Sequence, residues 1–547
     1  MKSKILLIAA VLLSCASCIE TNNQLGGSLL PVDQTYEIFS SSMPIQDISV
    51  RMADSLSGYS STRITLGAIR ESEYGLTTRS CAMTLMPTTD TMDFGTNPQL
   101  RYFNFQAAMD TVSLADPSQR NILQRLRVSE LALPLKEMYC NEAVLPSGVS
   151  ILERPAYLDG TDSLTFNFSE EYARKFFSLT QDDLSSVEKY LTKIPGIYLS
   201  VDEPVGEGGR INMFDLQLDY SSSAASALGN FATLAFRSTY DGHVRDTAFY
   251  FYYGADDLYP MDSLLRKSGT GSFPQHCLNL TGQSTRERQG KAFDRIPVEG
   301  GGGLKPVISA RSLRDMARKA IVDSLLAAGK SADLLPMVVI NRASLIFPFE
   351  AEQDWRLTFL TPYILSPTCR IRTDTTSVFM GLTDSSDSQE DQGDIDRSNL
   401  QFSPDITYHL QALLKMDDEK IDNGNYDIWL LTMADEEVTT ASTAQSDEMS
   451  EYYQYLAYQN YYNDMYGYGG YGGYGYGGYG YGGYGGGYSN YYSYMMAAMY
   501  MNANSGSSTS LKTQLDINRF YRFALNGPTA SGRRPELRLV FSVPNKD

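Results

Sequence analysis

Apolar and polar residues alternate with a period of two along much of this chain. Leu164-Thr165-Phe166-Asn167-Phe168, Thr233-Leu234-Ala235-Phe236-Arg237, Trp355-Arg356-Leu357-Thr358-Phe359 and Leu537-Arg538-Leu539-Val540-Phe541 each set apolar side chains against polar or small ones. Such segments are strands with one buried face. Asp241-Gly242 separates a strand at 232–239 from the aromatic run Phe249 to Tyr253, which predicts a hairpin. Helical spacing is rarer. Leu313, Met316, Ala317, Ala320, Ile321, Ser324 and Leu325 form one stripe with Arg and Asp opposite, and Gly329 follows as a stop. A second helix is expected from about Glu170 to Tyr190. Short strands with few connecting helices predict a mostly β protein built of sandwiches rather than an α/β sheet.

Length and charge narrow the picture. At 547 residues the chain exceeds one ordinary core, and about 100–200 residues per domain implies two or three. Its 64 acidic against 45 basic side chains give a net charge of −19. Duplex nucleic acid needs basic clusters to neutralise phosphate, so it is excluded as a partner class. One segment cannot form a core: Tyr466 to Tyr488 contains only 14 Gly and 9 Tyr. Glycine at that density buries too little surface to offset its backbone entropy. The segment reads as an insertion near 440–510, either a tolerated surface loop or a self-associating, adhesive element whose rings offer π faces.

The first residues read as an export signal. Lys2 and Lys4 precede an apolar run from Ile5 to Leu13, then small residues with Cys15 and Cys18. Nine helical residues rise only about 14 Å, well short of a bilayer. A cysteine at the cleavage point is the arrangement of a bacterial lipoprotein, whose thiol takes a diacylglycerol. Ala16-Ser17 before Cys18 favours Cys18 as the lipidated residue, and Leu12-Leu13-Ser14 before Cys15 keeps Cys15 as the alternative. The reading is therefore a signal peptide over 1–17, a tether over 18–44, a first sandwich over 45–255 and a second over 256–547. Acyl chains hold such a body to a membrane where a single chain is marginal.

Candidate chemistry is sparse. Cys81, Cys140, Cys277 and Cys369 lack CxxC spacing and read first as isolated buried thiols, with at least one bridge, in any of three connectivities, as the alternative. His243, His276 and His409 are scattered, so no metal or other cofactor is expected. Gly329-Lys330-Ser331 closes a helix where a phosphate-binding loop must open one. Gly300 to Gly303 reads as a flexible turn before a strand. The acidic run Asp384, Asp387, Glu390, Asp391, Asp394 and Asp396 fails the EF-hand pattern and reads as a solvated loop. GxSxG and HExxH do not occur, so no catalytic residue is assigned. Trp355 and Trp429 are the only large stacking platforms, and Trp429 sits in a run that reads as core.

Several phrases taken together resemble a known family. They are Leu25-Gly26-Gly27-Ser28-Leu29-Leu30-Pro31; Leu66-Gly67 with Tyr74-Gly75; Ile194-Pro195-Gly196-Ile197-Tyr198; Ile340-Asn341-Arg342-Ala343-Ser344-Leu345; and Phe523-Ala524-Leu525-Asn526-Gly527 with Arg534-Pro535-Glu536-Leu537. In this order the chain resembles the Bacteroidota lipoprotein family number 4270 among domains of unknown function. A weaker likeness, carried by Tyr74-Gly75, Arg101-Tyr102-Phe103-Asn104-Phe105, Arg342-Ala343-Ser344-Leu345 and Asp405-Ile406-Thr407, is to jelly-roll modules related to carbohydrate-binding domains. The resemblance implies two tandem jelly-roll-like sandwiches, lipid-anchored at the outer membrane in an unread orientation. The family carries no assigned activity; with no catalytic motif in the chain, the expected role is non-catalytic binding or structure, with a glycan or an envelope protein as partner. A carbohydrate-active hydrolase is the enzyme alternative, and close paired carboxylates would favour it.

Overall fold

The computed structural model describes residues 35–545, apart from 111–121, 254–276, 352–360, 383–392, 441–507 and shorter stretches at 55, 61–62, 137, 161–162, 217–218, 221–226, 229–230, 285–286, 289–292, 373–376 and 517–518. The segment 355–359 expected to be a strand, the Gly/Tyr segment and both candidate lipidation cysteines lie outside the described residues. Within them the fold is mostly β, with antiparallel sheets and a few short helices, as the alternation predicts.

Two sheets enclose the first core. In the larger, Gly75–Met83 lies between Ile197–Val201 and Cys277–Gln283, with Arg63–Glu71, Gly208–Asp215 and Gln124–Leu131 extending it. The smaller orders Leu164–Asn167, Thr96–Ala107, Phe231–Tyr240, His243–Tyr252 and Met86–Pro87. Phe103, Phe105, Phe166, Phe236 and Phe251 meet Ile64, Leu66, Met83, Val128 and Leu199 between them. The Asp241-Gly242 hairpin is present, with Tyr240 opposite His243. Both turn residues have positive φ, 52° and 79°, the twist that a two-residue loop needs.

The helix expected over 170–190 is two helices, α1 (Glu170–Phe177) and α2 (Val187–Lys193). Polar side chains between them compete for the backbone. Asp183 accepts from the Thr180 amide at 2.8 Å, and Ser186 caps α2 by accepting from the Lys189 amide. Tyr172 and Phe176 of α1 turn inward, the latter edge-on to Phe103 at 4.9 Å.

A second core lies between a sheet ordered Tyr36–Pro44, Glu536–Pro544, Val339–Pro348, Gln401–Phe402, Ile395–Asp396 and a sheet containing Ser49–Met52, Leu304–Ile308, Ile428–Thr440 and Ile364–Arg372. Helix α3 (Ala310–Ala327) buries Leu313, Ala317, Ile321 and Leu325 as its stripe predicts, and Gly329 ends it at φ 76°. Arg314 departs from the expected polar face. It is buried, and its guanidinium donates to the Met416 carbonyl at 3.0 Å and to Asp418 at 2.6 Å, tying α3 to the end of α4 (Thr407–Lys415).

Strand pairing crosses the boundaries read from the sequence. Residues 36–44, assigned to a tether, pair over nine positions with Glu536–Pro544. Ser49–Met52 joins the second sandwich through Leu304–Ile308, while Cys277–Gln283 completes the first through Gly75–Met83. Ile428–Thr440 pairs with Ser508–Leu515 so that Thr440 faces Ser508. Segment 441–507 therefore leaves and re-enters the sheet at opposed positions.

Gly300 to Gly303 correct another expectation, since the turn is buried rather than flexible at the surface. A Cβ at Gly300 would lie 2.5 Å from Asp516, at Gly301 2.7 Å from Arg79, at Gly302 2.3 Å from the Cys140 thiol and at Gly303 2.5 Å from Glu299. Only a chain without side chains passes between the sandwiches at this point.

Candidate functional site

The alternation that fills the first core with Phe103, Phe105, Leu234 and Phe251 turns the intervening residues of the five-stranded sheet outward. Asn167 lies opposite Asn104, Asn104 opposite Thr233 and Thr233 opposite Tyr250, so one row runs across four strands. The adjoining row is Tyr102, Ala235 and Ala248. Tyr102 and Tyr250 remain 48% and 45% exposed, and the side chains between them are small. Two strand spacings and a two-residue rise set their Cα atoms about 12 Å apart. The amides are held in place: Asn104 donates to Asn167 at 3.1 Å, and Asn167 donates to Glu153 at 3.0 Å. At one end Arg237 grips Asp246 through two 2.8 Å hydrogen bonds, which hold the Asp246 carboxyl below the usual carboxylate range.

Beside this face a cleft of about 420 Å³ opens between the two sheets. Thr165 belongs to both the face and the cleft, whose rim carries Tyr157, Asp159 and Ser163. Its floor is rigid. Asn212 donates to the Leu66 carbonyl at 3.0 Å and to Gln124 at 3.2 Å, and accepts from Arg210 at 2.6 Å. Gly160 permits Arg210 to lie behind the rim, because a Cβ there would meet the guanidinium at 2.5 Å. Aromatic rings flanked by hydroxyls, amides and a carboxylate suit a ligand with alternating C–H faces and hydroxyl groups.

The residues singled out from sequence do not converge here. Cys15, Cys18, His276, Trp355 and Asp384 to Asp391 lie outside the described residues. Trp429 is core, edge-on to Phe379 at 5.3 Å. Lys330 pairs with Glu37 at 2.9 Å, so the Gly-Lys-Ser phrase anchors the first strand to the end of α3. His409 is buried and its Nε2 donates to the Tyr426 carbonyl at 3.1 Å, while burial pulls the imidazole down to about 4. Burial pushes the Cys140 thiol up to about 11 and the Cys81 thiol well above its ordinary value, opposite to the shift that activates a nucleophile. Among the described residues no group of three His, Cys, Asp or Glu side chains has metal-binding geometry.

Charged groups do gather at the junction of the sandwiches. Glu299 is fully enclosed and accepts from Thr77 at 2.7 Å and from Gln283 at 2.9 Å. Arg79 donates to the Gly300 carbonyl at 2.6 Å, and Lys305 donates to the Glu299 carbonyl. Burial lowers the Lys305 ammonium below its ordinary range against the pull of Asp516. Phe520 fills the space against Ile69, Ile211 and Met213. The hydrogen bonds of Glu299, Arg79 and Lys305 go to neutral side chains and backbone of both sandwiches, which makes the junction a fastening.

Among 38 tyrosines, composition does not single out Tyr102 and Tyr250. The available signal was phase: in Arg101-Tyr102-Phe103-Asn104-Phe105 the tyrosine falls out of step with both phenylalanines. Searches against family models, curated proteins and solved structures return no match to this chain. The family resemblance rests on its quoted phrases alone.

Proposed function

We propose that this chain is a lipid-anchored protein of the cell envelope that binds a glycan on the outer face of its first sandwich and does not turn it over. The observation that carries the reading is the pair of exposed rings, Tyr102 and Tyr250, across a flat row of small side chains and fixed amides. Stacked rings take the apolar face of a sugar, and amides answer its hydroxyls. Their separation suits an oligosaccharide rather than one sugar ring. The proposed outer membrane address rests on the apolar run Ile5 to Leu13 followed by Cys18, with Cys15 the alternative.

A panel of envelope and dietary oligosaccharides, titrated against the full chain in detergent, tests the reading. Tyr102→Ala and Tyr250→Ala should each weaken the best ligand about 2- to 10-fold, the worth of one ring contact. Equal binding by both variants would remove the face from consideration, and turnover abolished by a single Asp or Glu change would favour a hydrolase. Self-association through the Tyr/Gly segment is a second reading. It is favoured by the composition of Tyr466 to Tyr488, whose nine tyrosine rings offer π faces among 14 glycines.

A further inference from the structure

Cys277 opens the strand Cys277–Gln283, which pairs with Gly75–Met83 so that Cys277 lies opposite Met83 and Asn279 opposite Cys81. The two cysteines are thus diagonal neighbours on adjacent strands, and both side chains belong to the first core. Their sulfurs are 2.8 Å apart and neither residue has exposed surface. Of the three connectivities open to four cysteines, this geometry selects one pair. Cys140 is packed at the junction against Gly302, and Cys369 lies in the second core.

We infer that Cys81 and Cys277 form a disulfide that staples the strand 277–283 onto the first sandwich. Closing the sulfurs to about 2.05 Å needs a movement of less than about 1 Å. The oxidant is an external disulfide, small-molecule or protein-borne. One cysteine thiolate attacks it, forming a mixed disulfide and expelling one thiolate. The second cysteine thiolate then attacks the protein sulfur of that mixed disulfide, expelling the other. Two protein thiols lose two electrons to the reagent, and their two protons go to the two thiols released. Exchange needs access, so the bond forms before this strand docks. Once enclosed, with burial also opposing thiolate formation at Cys81, it resists reductant and is structural. Joining positions 196 residues apart restricts the unfolded chain strongly.

For an oxidant in the cell the inference rests on the proposed export, and the test separates the two. The full chain is isolated from envelope membranes, and a second sample is refolded in oxidised and reduced glutathione. Both are alkylated in denaturant, digested without reductant and mapped by mass. A peptide pair joining Cys81 to Cys277 in both samples is the expected result. The bond in the refolded sample alone would uphold the inference and count against export. Free, alkylated Cys81 and Cys277 after refolding, or a bond to Cys140 or Cys369, would overturn it. The oxidised protein should melt about 5 °C above the reduced form, a difference absent in Cys277→Ser. Should that variant fail to fold, the peptide map of the unmutated chain still decides.

Discussion

The guanidinium of Arg522 lies 4.0 Å from the centre of the Tyr74 ring. Arg522 begins a strand of the second sandwich, and Tyr74 sits in the turn between two strands of the first. Glu71, 3.2 Å from the same guanidinium, completes the contact. A cation desolvated over an aromatic face is worth about 2 kcal/mol. Arg522→Leu and Tyr74→Leu should each lower stability by about that much, and the double variant by clearly less than the sum. Urea unfolding of all four proteins measures the coupling; strict additivity would mean that the two residues are neighbours and nothing more.

Glu299 offers a sharper perturbation. Glu299→Gln keeps the shape and removes one of the two carboxylates, the other being Asp516, that face Arg79 and Lys305. Leaving buried cations undercompensated should cost about 3 kcal/mol. Lys305→Met added to Glu299→Gln should recover part of the loss. A Glu299→Gln protein as stable as the unmutated chain would show that the cluster's neutrality does not matter.

His409 sets a pH dependence. Its folded value of about 4 lies below the unfolded 6.5, so between these limits the unfolded chain binds the extra proton. Stability should fall as pH drops from 6.5 to 4, by about 3 kcal/mol in all, and level off below. His409→Gln should remove that component, leaving the carboxylates to set the remaining slope. Denaturant midpoints of both proteins across pH 4–7 would expose a mistake if the two curves ran parallel.

Because Thr440 faces Ser508, removal of Tyr466 to Tyr488 should leave the body intact. The melting temperature is expected within a few degrees of the full chain. Calorimetry decides, and loss of cooperative unfolding would mean that the tyrosines pack on a sandwich.

The proposed anchor is tested by Cys18→Ala, which should carry no acyl label and appear in the soluble periplasmic fraction. Label retained by that variant would move the lipid to Cys15.

Local chemistry was legible in the sequence, and long-range pairing was not. The Asp241-Gly242 turn needs only two residues able to take positive φ, and the α3 stripe only its own spacing. Arg314 reads as surface until Met416 and Asp418 are brought beside it. The glycines at 300–303 have the composition of an open turn, and only the arrival of Arg79, Cys140 and Asp516 from distant strands makes them a buried crossing. Tyr102 is visible in the sequence as an out-of-phase aromatic, whereas Tyr250 is hidden in the unbroken aromatic run Phe249 to Tyr253. Their place in adjoining rows of one face follows from the register of three strands, which no single segment specifies.

The pairing of Tyr36–Pro44 with Glu536–Pro544 imposes a timetable. Ser42 and Glu536 are hydrogen-bonded across 494 positions of sequence, and synthesis at about 5–20 residues per second separates their appearance by roughly 25–100 s. Throughout that interval the early strand has no native strand partner, and its backbone is a template for any other strand it meets. The first sandwich has all its strands once Gln283 is made. The middle of the molecule therefore matures before its beginning, and a chain stalled short of Glu536 would carry a finished head on an unguarded sticky end.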